Sequence, residues 1–280
     1  LKDSSNYKWE TTESSSVEIN FEITKATAVI TDLAIEGWTY GDVAKEPTAT
    51  TNIGSIVYTY AISLDGDYTS TVPTTAGTYY VKATVLGTDN YNGAVATYEF
   101  TIKKKSVSVS WNVGSYTYTG SVLTNPTASI QLVDGTNHSL TVSATQAFIN
   151  AGTYTFTAST DVELILNNYE ISNTTKNVTV EKGSAVITDL NIEGWTYGDT
   201  AKEPIAATNF GEIVYSYATS LDGEYTSTIP TNAGTYYVKA TVLETDNYNG
   251  AVATYEFIIS KKAVSVSWNV GSYTYTGSVL

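Results

Sequence analysis

The stretch AVITDLAIEGWTYGD that begins at Ala28 returns as AVITDLNIEGWTYGD from Ala185, 157 residues further on. The same offset carries Asp89 to Asp246 and Trp111 to Trp268. A chain that repeats itself folds as a series of like units, each burying its own core with help from its neighbours, so the repeat rather than the length sets the number of domains. Inside the long period two related halves are visible, because Ala76-Gly77-Thr78-Tyr79 is echoed by Ala151-Gly152-Thr153-Tyr154 and Asn90-Tyr91 by Asn168-Tyr169. We call them A and B. Residues 26–104 form the first A repeat (A1), 105–182 the B repeat, and 183–261 the second A repeat (A2). Residues 1–25 read as the closing strands of a preceding, more diverged unit, and residues 262–280 as the opening strands of a second B. With both ends falling inside repeats, no Met, and no apolar run that suits a secretion signal or a membrane span, the 280 residues read as an internal segment of a longer chain.

Within each repeat apolar and polar residues alternate, which is the period of a strand with one buried face. In B, Val107, Val109, Trp111 and Val113 alternate with Ser106, Ser108, Ser110 and Asn112, and Tyr154, Phe156 and Ala158 alternate with threonines. In A1 the inward sets are Ile56, Tyr58, Tyr60 and Ile62; Tyr79, Val81, Ala83 and Val85; and Ala96, Tyr98, Phe100 and Ile102. Asp65-Gly66 and Asn92-Gly93 carry turn chemistry between strands. No run shows a 3.6-residue apolar period, so helix is minor or absent. Short strands at this spacing predict an all-β fold of small immunoglobulin-like sandwich domains in an elongated tandem array.

Charge narrows the partners. The chain holds 28 acidic residues against 14 basic ones, all of the latter Lys, for a formal charge of −14. A nucleic-acid surface needs clustered cations and bidentate Arg, so nucleic acid is excluded as a partner. The acidity reads as a solvated, self-repelling surface. With no Cys, neither a disulfide nor a thiolate metal site holds the fold.

The residues GWTYGD, YTYAISLDGDYTSTVP, AGTYYVKATV and DNYNGAVATYEF in A resemble MBG-type repeats (the YGX variety) of bacterial surface adhesins. YTYTGS, NAGTYTF and NNY in B are similar to the YDG-like bacterial immunoglobulin-like repeats of the same group. This resemblance covers nearly the whole chain and implies an extracellular, cell-surface or wall-attached protein built of many repeats, with no membrane insertion in this segment. Some adhesin repeats of this broad kind have a β-grasp fold, so the resemblance makes β-grasp-like repeats the alternative, and the sandwich is preferred because no helix is found between the strands. The Ala-Gly-Thr-Tyr step resembles the tyrosine corner of immunoglobulin-like domains, where a Tyr hydroxyl bonds back to the chain, and Tyr79, Tyr154 and Tyr236 occupy that place. Where an antibody domain has Cys, two residues later, this chain has Val81, Phe156 and Val238.

No constellation for chemistry emerges. The single His138 sits beside Asp134-Gly135 and reads as an exposed turn residue; Asp65, Asp67 and Asp89 belong to turns, where backbone hydrogen bonding explains them. The chain is therefore expected to be non-enzymatic and to carry no cofactor. Calcium at repeat junctions is the alternative chemical reading, with Asp42 and Asp89 and their copies Asp199 and Asp246 as candidate ligands, although no spacing matches a defined calcium loop. Lys82 and Lys239 alternate with inward residues and so point outward, against an internal isopeptide bond. Trp38 and Tyr40, repeated as Trp195 and Tyr197, fall on one face of a strand and read either as core or as a platform for a sugar ring. Asn137, Asn173 and Asn177 are glycosylation sequons. The expected role is a stalk whose partners are the neighbouring repeats of the same chain. The alternatives are multivalent weak binding of a host glycan or surface protein, and assembly between chains by strand addition.

Overall fold

The structure, a computed structural model, describes residues 19–279. The reading of residues 1–25 as strands falls for residues 1–18 outside the described part, and residues 19–25 carry no strand. The chain is nearly all β, built as tandem repeats. It separates into two compact units: residues up to Val107 with Asp161–Glu170, and Ser108–Thr160 with the residues from Ile171 onward.

The first unit holds A1. Its main sheet has four strands in the order Trp38–Thr39, Ala94–Lys103, Gly77–Val85 and Ile56–Ala61. The three long strands are antiparallel, and Trp38–Thr39 runs parallel to the end of Ala94–Lys103, with Trp38 opposite Ile102. A second layer is the antiparallel pair Ile30–Ala34 and Thr48–Thr51, whose register slips between Thr31 and Ala34. Asp32 absorbs that slip at φ 57°, a left-handed conformation that Asp tolerates better than most residues. Between the layers lies a core of Ile35, Trp38, Tyr60, Tyr79, Val81, Phe100 and Ile102, with Leu33 against it. Trp38 stacks on Phe100 at 5.3 Å between centroids, and Tyr60 meets the same ring edge-on at 6.2 Å. Aromatic pairs of this geometry contribute about 0.5–1.5 kcal/mol each beyond their area. Burial, assisted by the negative field of Glu46, raises the Tyr60 phenol above its ordinary pKa.

Alternation located the central strand fully: Tyr79, Val81, Ala83 and Val85 are all buried. Two inward assignments need correction. Ile62 is 80% exposed because the strand ends at Ala61 and the chain turns at Ser63, where the Gly66 amide donates to the Ser63 carbonyl. Tyr98 is 43% exposed, since the edge partner Trp38–Thr39 reaches only Ile102 and Lys103 and leaves that flank of the strand open.

The second unit holds the body of B and A2. The sheet of B has six strands in the order Ser110–Asn112, Thr127–Gln131, Asn137–Ala144, Gly152–Ser159, Thr175–Glu181 and Tyr116–Thr117, the last parallel to its neighbour. The strand Asn137–Ala144 pairs through its first half with Thr127–Gln131 and through its second half with Gly152–Ser159. Its core centres on Phe148, which Tyr116, Tyr154 and Phe156 all approach edge-on at 4.8–5.1 Å. A2 repeats A1 strand for strand, with Trp195 stacked on Phe257 at 5.3 Å. Residues 262–280 are read from the sequence as opening strands of a second B; those through 279 form no strand, and residue 280 lies outside the described part. In B the strand Ser110–Asn112 is paired by Thr127–Gln131, and no copy of that partner lies within the 280 residues.

One helix corrects the reading of B as free of helix between strands: Glu163–Asn168, six residues long, which belongs to the first unit. Its apolar residues span less than two turns, too few for a helical period to register.

Candidate functional site

Trp38 and Trp195 are 6% and 8% exposed and stack within the cores, so the platform reading fails for both indoles. The alternation places them inward, and an aromatic core needs their area. Tyr79 and Tyr154 bond back to the chain: the Tyr79 hydroxyl donates to the Thr75 carbonyl at 3.0 Å and the Tyr154 hydroxyl to the Asn150 carbonyl at 2.9 Å. Tyr236 tilts against Phe257 at 5.8 Å, as Tyr79 does against Phe100 at 5.9 Å.

His138 lies in the strand Asn137–Ala144 opposite Ile130, half-buried, with Nε2 3.3 Å from the Thr160 hydroxyl; it is not an exposed turn residue. The turn itself sits two to four residues earlier, where the Asp134 carboxylate accepts from the Thr136 hydroxyl and amide, which lowers its pKa. Lys82 and Lys239 lie over the rings of Tyr68 and Tyr225 at 3.5 and 3.7 Å, so each ammonium is held by a cation–π contact. Among the described residues no three His, Cys, Asp or Glu side chains gather as a metal site, and Asp42 instead lies 3.6 Å from the Lys105 ammonium. Asp89 and Asp246 sit in the loops before the Asn-Tyr pairs, and Asp199 donates its amide to the Thr196 carbonyl.

The arrangement that recurs is a clasp between one repeat's tyrosine-corner step and the Asn-Tyr pair of the repeat that follows. In the first unit the Ala76 amide, in the Ala-Gly-Thr-Tyr step of A1, donates to Asn168 Oδ1 at 2.8 Å. Asn168 is 1% exposed, and its Nδ2 donates to the Leu164 carbonyl at 2.8 Å, so the helix holds the side chain in place. Tyr40 meets Tyr169 edge-on at 5.3 Å, and the Lys104 ammonium donates to the Leu166 carbonyl at 2.6 Å. An open groove of about 800 Å³ lies beside it, and Lys103, Lys104, Lys105 and Glu170 are among the residues that line it.

In the second unit the Ala151 amide, in the same step of B, donates to Asn247 Oδ1 at 2.9 Å, and Asn247 Nδ2 reaches Asn150 Oδ1 at 3.3 Å. Tyr118 takes the place of Tyr40 and packs with Phe210 at 5.3 Å and Tyr248 at 6.3 Å. Lys182 takes the place of Lys104 and reaches Glu244 at 2.6 Å. Sequence reasoning found the Ala-Gly-Thr-Tyr and Asn-Tyr echoes as signatures of repetition and missed that they bind each other. The partners lie 92 and 96 residues apart, beyond any local pattern.

Among the described residues no helix is long and apolar enough to cross a membrane. No curated protein matches the chain. The family model described as MBG domain matches residues 26–106 and 185–263, the two A repeats, which together make up more than half of the sequence. Repeats of this kind fit a repetitive surface protein, and with that match the chain belongs to the MBG domain family.

Proposed function

We propose that the chain is a non-catalytic stalk segment of a repetitive bacterial cell-surface adhesin, which projects a distal domain away from an extracellular surface. The observation that carries this reading is the clasp itself: a buried or half-buried Asn bonded to the Ala amide of the preceding repeat, made twice with different flanking backbone. A module whose ends are reserved for its neighbours is suited to serial extension, and burial at such junctions limits bending between repeats. The neighbouring repeats are accordingly the principal partners. The indoles that would have offered a sugar platform support the cores instead.

Small-angle scattering of the full 280-residue chain tests the reading. A rod-like distance distribution is expected, with a cross-section of one repeat. A compact distribution, or saturable binding on a glycan array, would replace the stalk with a binding module.

A further inference from the structure

Because A1 and A2 are near copies, the positions where they differ report what each has been fitted to. Three differences fall on the face that receives the preceding repeat: Ala26, Ile53 and Gly87 in A1 stand where A2 has Gly183, Phe210 and Glu244. All three A2 residues touch or accommodate the end of B. Phe210 lies against Tyr118, and Glu244 pairs with Lys182. Gly183 is buried, and a Cβ there would stand 2.8 Å from the Tyr118 carbonyl oxygen and 2.9 Å from the Phe210 ring. Only a residue without a side chain fits that approach.

A1 carries none of the three. Ala26 has the methyl group that this approach forbids, Ile53 lacks the flat ring that stacks on Tyr248, and Gly87 has no carboxylate. Lys25, the copy of Lys182, donates to the Thr88 carbonyl instead. The clasp residues themselves do not differ, since Asn90-Tyr91 and Asn247-Tyr248 are the same pair.

We infer that the order of repeats is written in these three positions: Asn-Tyr supplies a general clasp, and Gly183, Phe210 and Glu244 make the entry face of A2 selective for the end of a B repeat. The entry face of A1 is shaped for a unit that does not end as B does. Specificity here combines attraction, through the ring and the carboxylate, with exclusion, through the methyl group of Ala26. The inference rests on the reading of the chain as serial repeats and concerns their order, whatever the array is for.

The test places the A1 residues on A2 in the full chain, as Gly183→Ala, Phe210→Ile and Glu244→Gly together, and follows amide hydrogen exchange. Loss of an aromatic contact and an ion pair, with a methyl group set against a carbonyl, is expected to lower protection of the Ala151 amide by about tenfold or more. The Ala76 amide, clasped by Asn168 in the first unit, and the Val238 amide in the core of A2 are expected to keep theirs. Gly183→Ala alone is expected to move Ala151 in the same direction. Unchanged protection at Ala151 would overturn the inference, and so would an equal loss at Ala151 and Val238, which would mean that the three residues serve the fold of A2. Either result leaves the scattering test of the stalk untouched.

Discussion

The clasp on Ala76 and the clasp on Ala151 join the same kinds of atoms and differ in what presents the Asn. Asn168 stands at the end of a short helix, almost fully buried, with its second polar group bonded to Leu164. Asn247 stands in a loop, half-buried, its backbone steadied by the Thr245 hydroxyl at 3.2 Å and its amide shared with Asn150. Two unlike local structures therefore deliver one carbonyl oxygen to one backbone amide. The bond is common to the two junctions, and the scaffold behind it differs.

The largest effect that can challenge this comparison lies beneath the clasps. Phe100→Ala and Phe257→Ala each remove the ring on which a buried Trp stacks, and each is expected to cost about 3–5 kcal/mol in chemical denaturation. The two losses should agree within about 1 kcal/mol, since the surrounding core residues correspond one to one. A clear inequality would show that a docked neighbour stabilises one copy more than the other.

Next come the clasps. Asn168→Ala removes a fully buried side chain and leaves the half-buried Ala76 amide without its acceptor, which should cost about 1–3 kcal/mol, whereas Asn247→Ala, at a half-buried site open to solvent, should cost about 0.5–1.5 kcal/mol. Hydrogen exchange at Ala76 and Ala151 reads each loss at its own site. If Asn247 proved the costlier, depth of burial would not be what grades the two.

The tyrosine corners should differ less. Tyr79→Phe and Tyr154→Phe each remove a hydroxyl that donates to a carbonyl four residues back, worth about 1 kcal/mol by thermal unfolding. Smaller still is Glu244→Gln, which breaks an exposed ion pair with Lys182 and should cost about 0.2–1 kcal/mol, an effect that fades as salt is added.

Last is a comparison at alkaline pH. Tyr80 and Tyr237 donate to Glu99 and Glu256, and these hydrogen bonds, more than burial, raise both phenols. The stability they contribute is complete below the unfolded Tyr pKa and is lost as pH rises through the folded one. Ultraviolet difference titration should show the two ionising together, above an ordinary Tyr, and Glu99→Gln should bring Tyr80 alone back down.

Much of this was legible in the sequence, and the boundary is physical. A strand buried on one face must alternate, so Gly77–Val85 announced itself residue by residue. Ile62 and Tyr98 were misassigned because alternation says which residues share a face and not where the covering layer stops. The helix Glu163–Asn168 was too short to show a period. The corner tyrosines could be named from the four residues around them, because their bonds are local. The clasps could not, because an amide and an Asn some ninety residues apart leave no mark in either segment. Tyr40 makes the same point, since it packs on Tyr169 of the following repeat and nothing in its own segment announces that partner.

The short strand Trp38–Thr39 runs parallel to the end of the last strand of A1, with the Tyr40 amide adding a bond to the Lys103 carbonyl, and Trp195–Thr196 does the same in A2. When a repeat is pulled by its two chain ends, parallel neighbours are driven past one another in opposite directions. Their hydrogen bonds are then loaded side by side and must fail together, whereas an antiparallel pair pulled from one end opens bond by bond like a zip. Each A repeat thus closes its sheet with a latch that resists tension, and the Trp that anchors it in the core cannot leave until the latch slides.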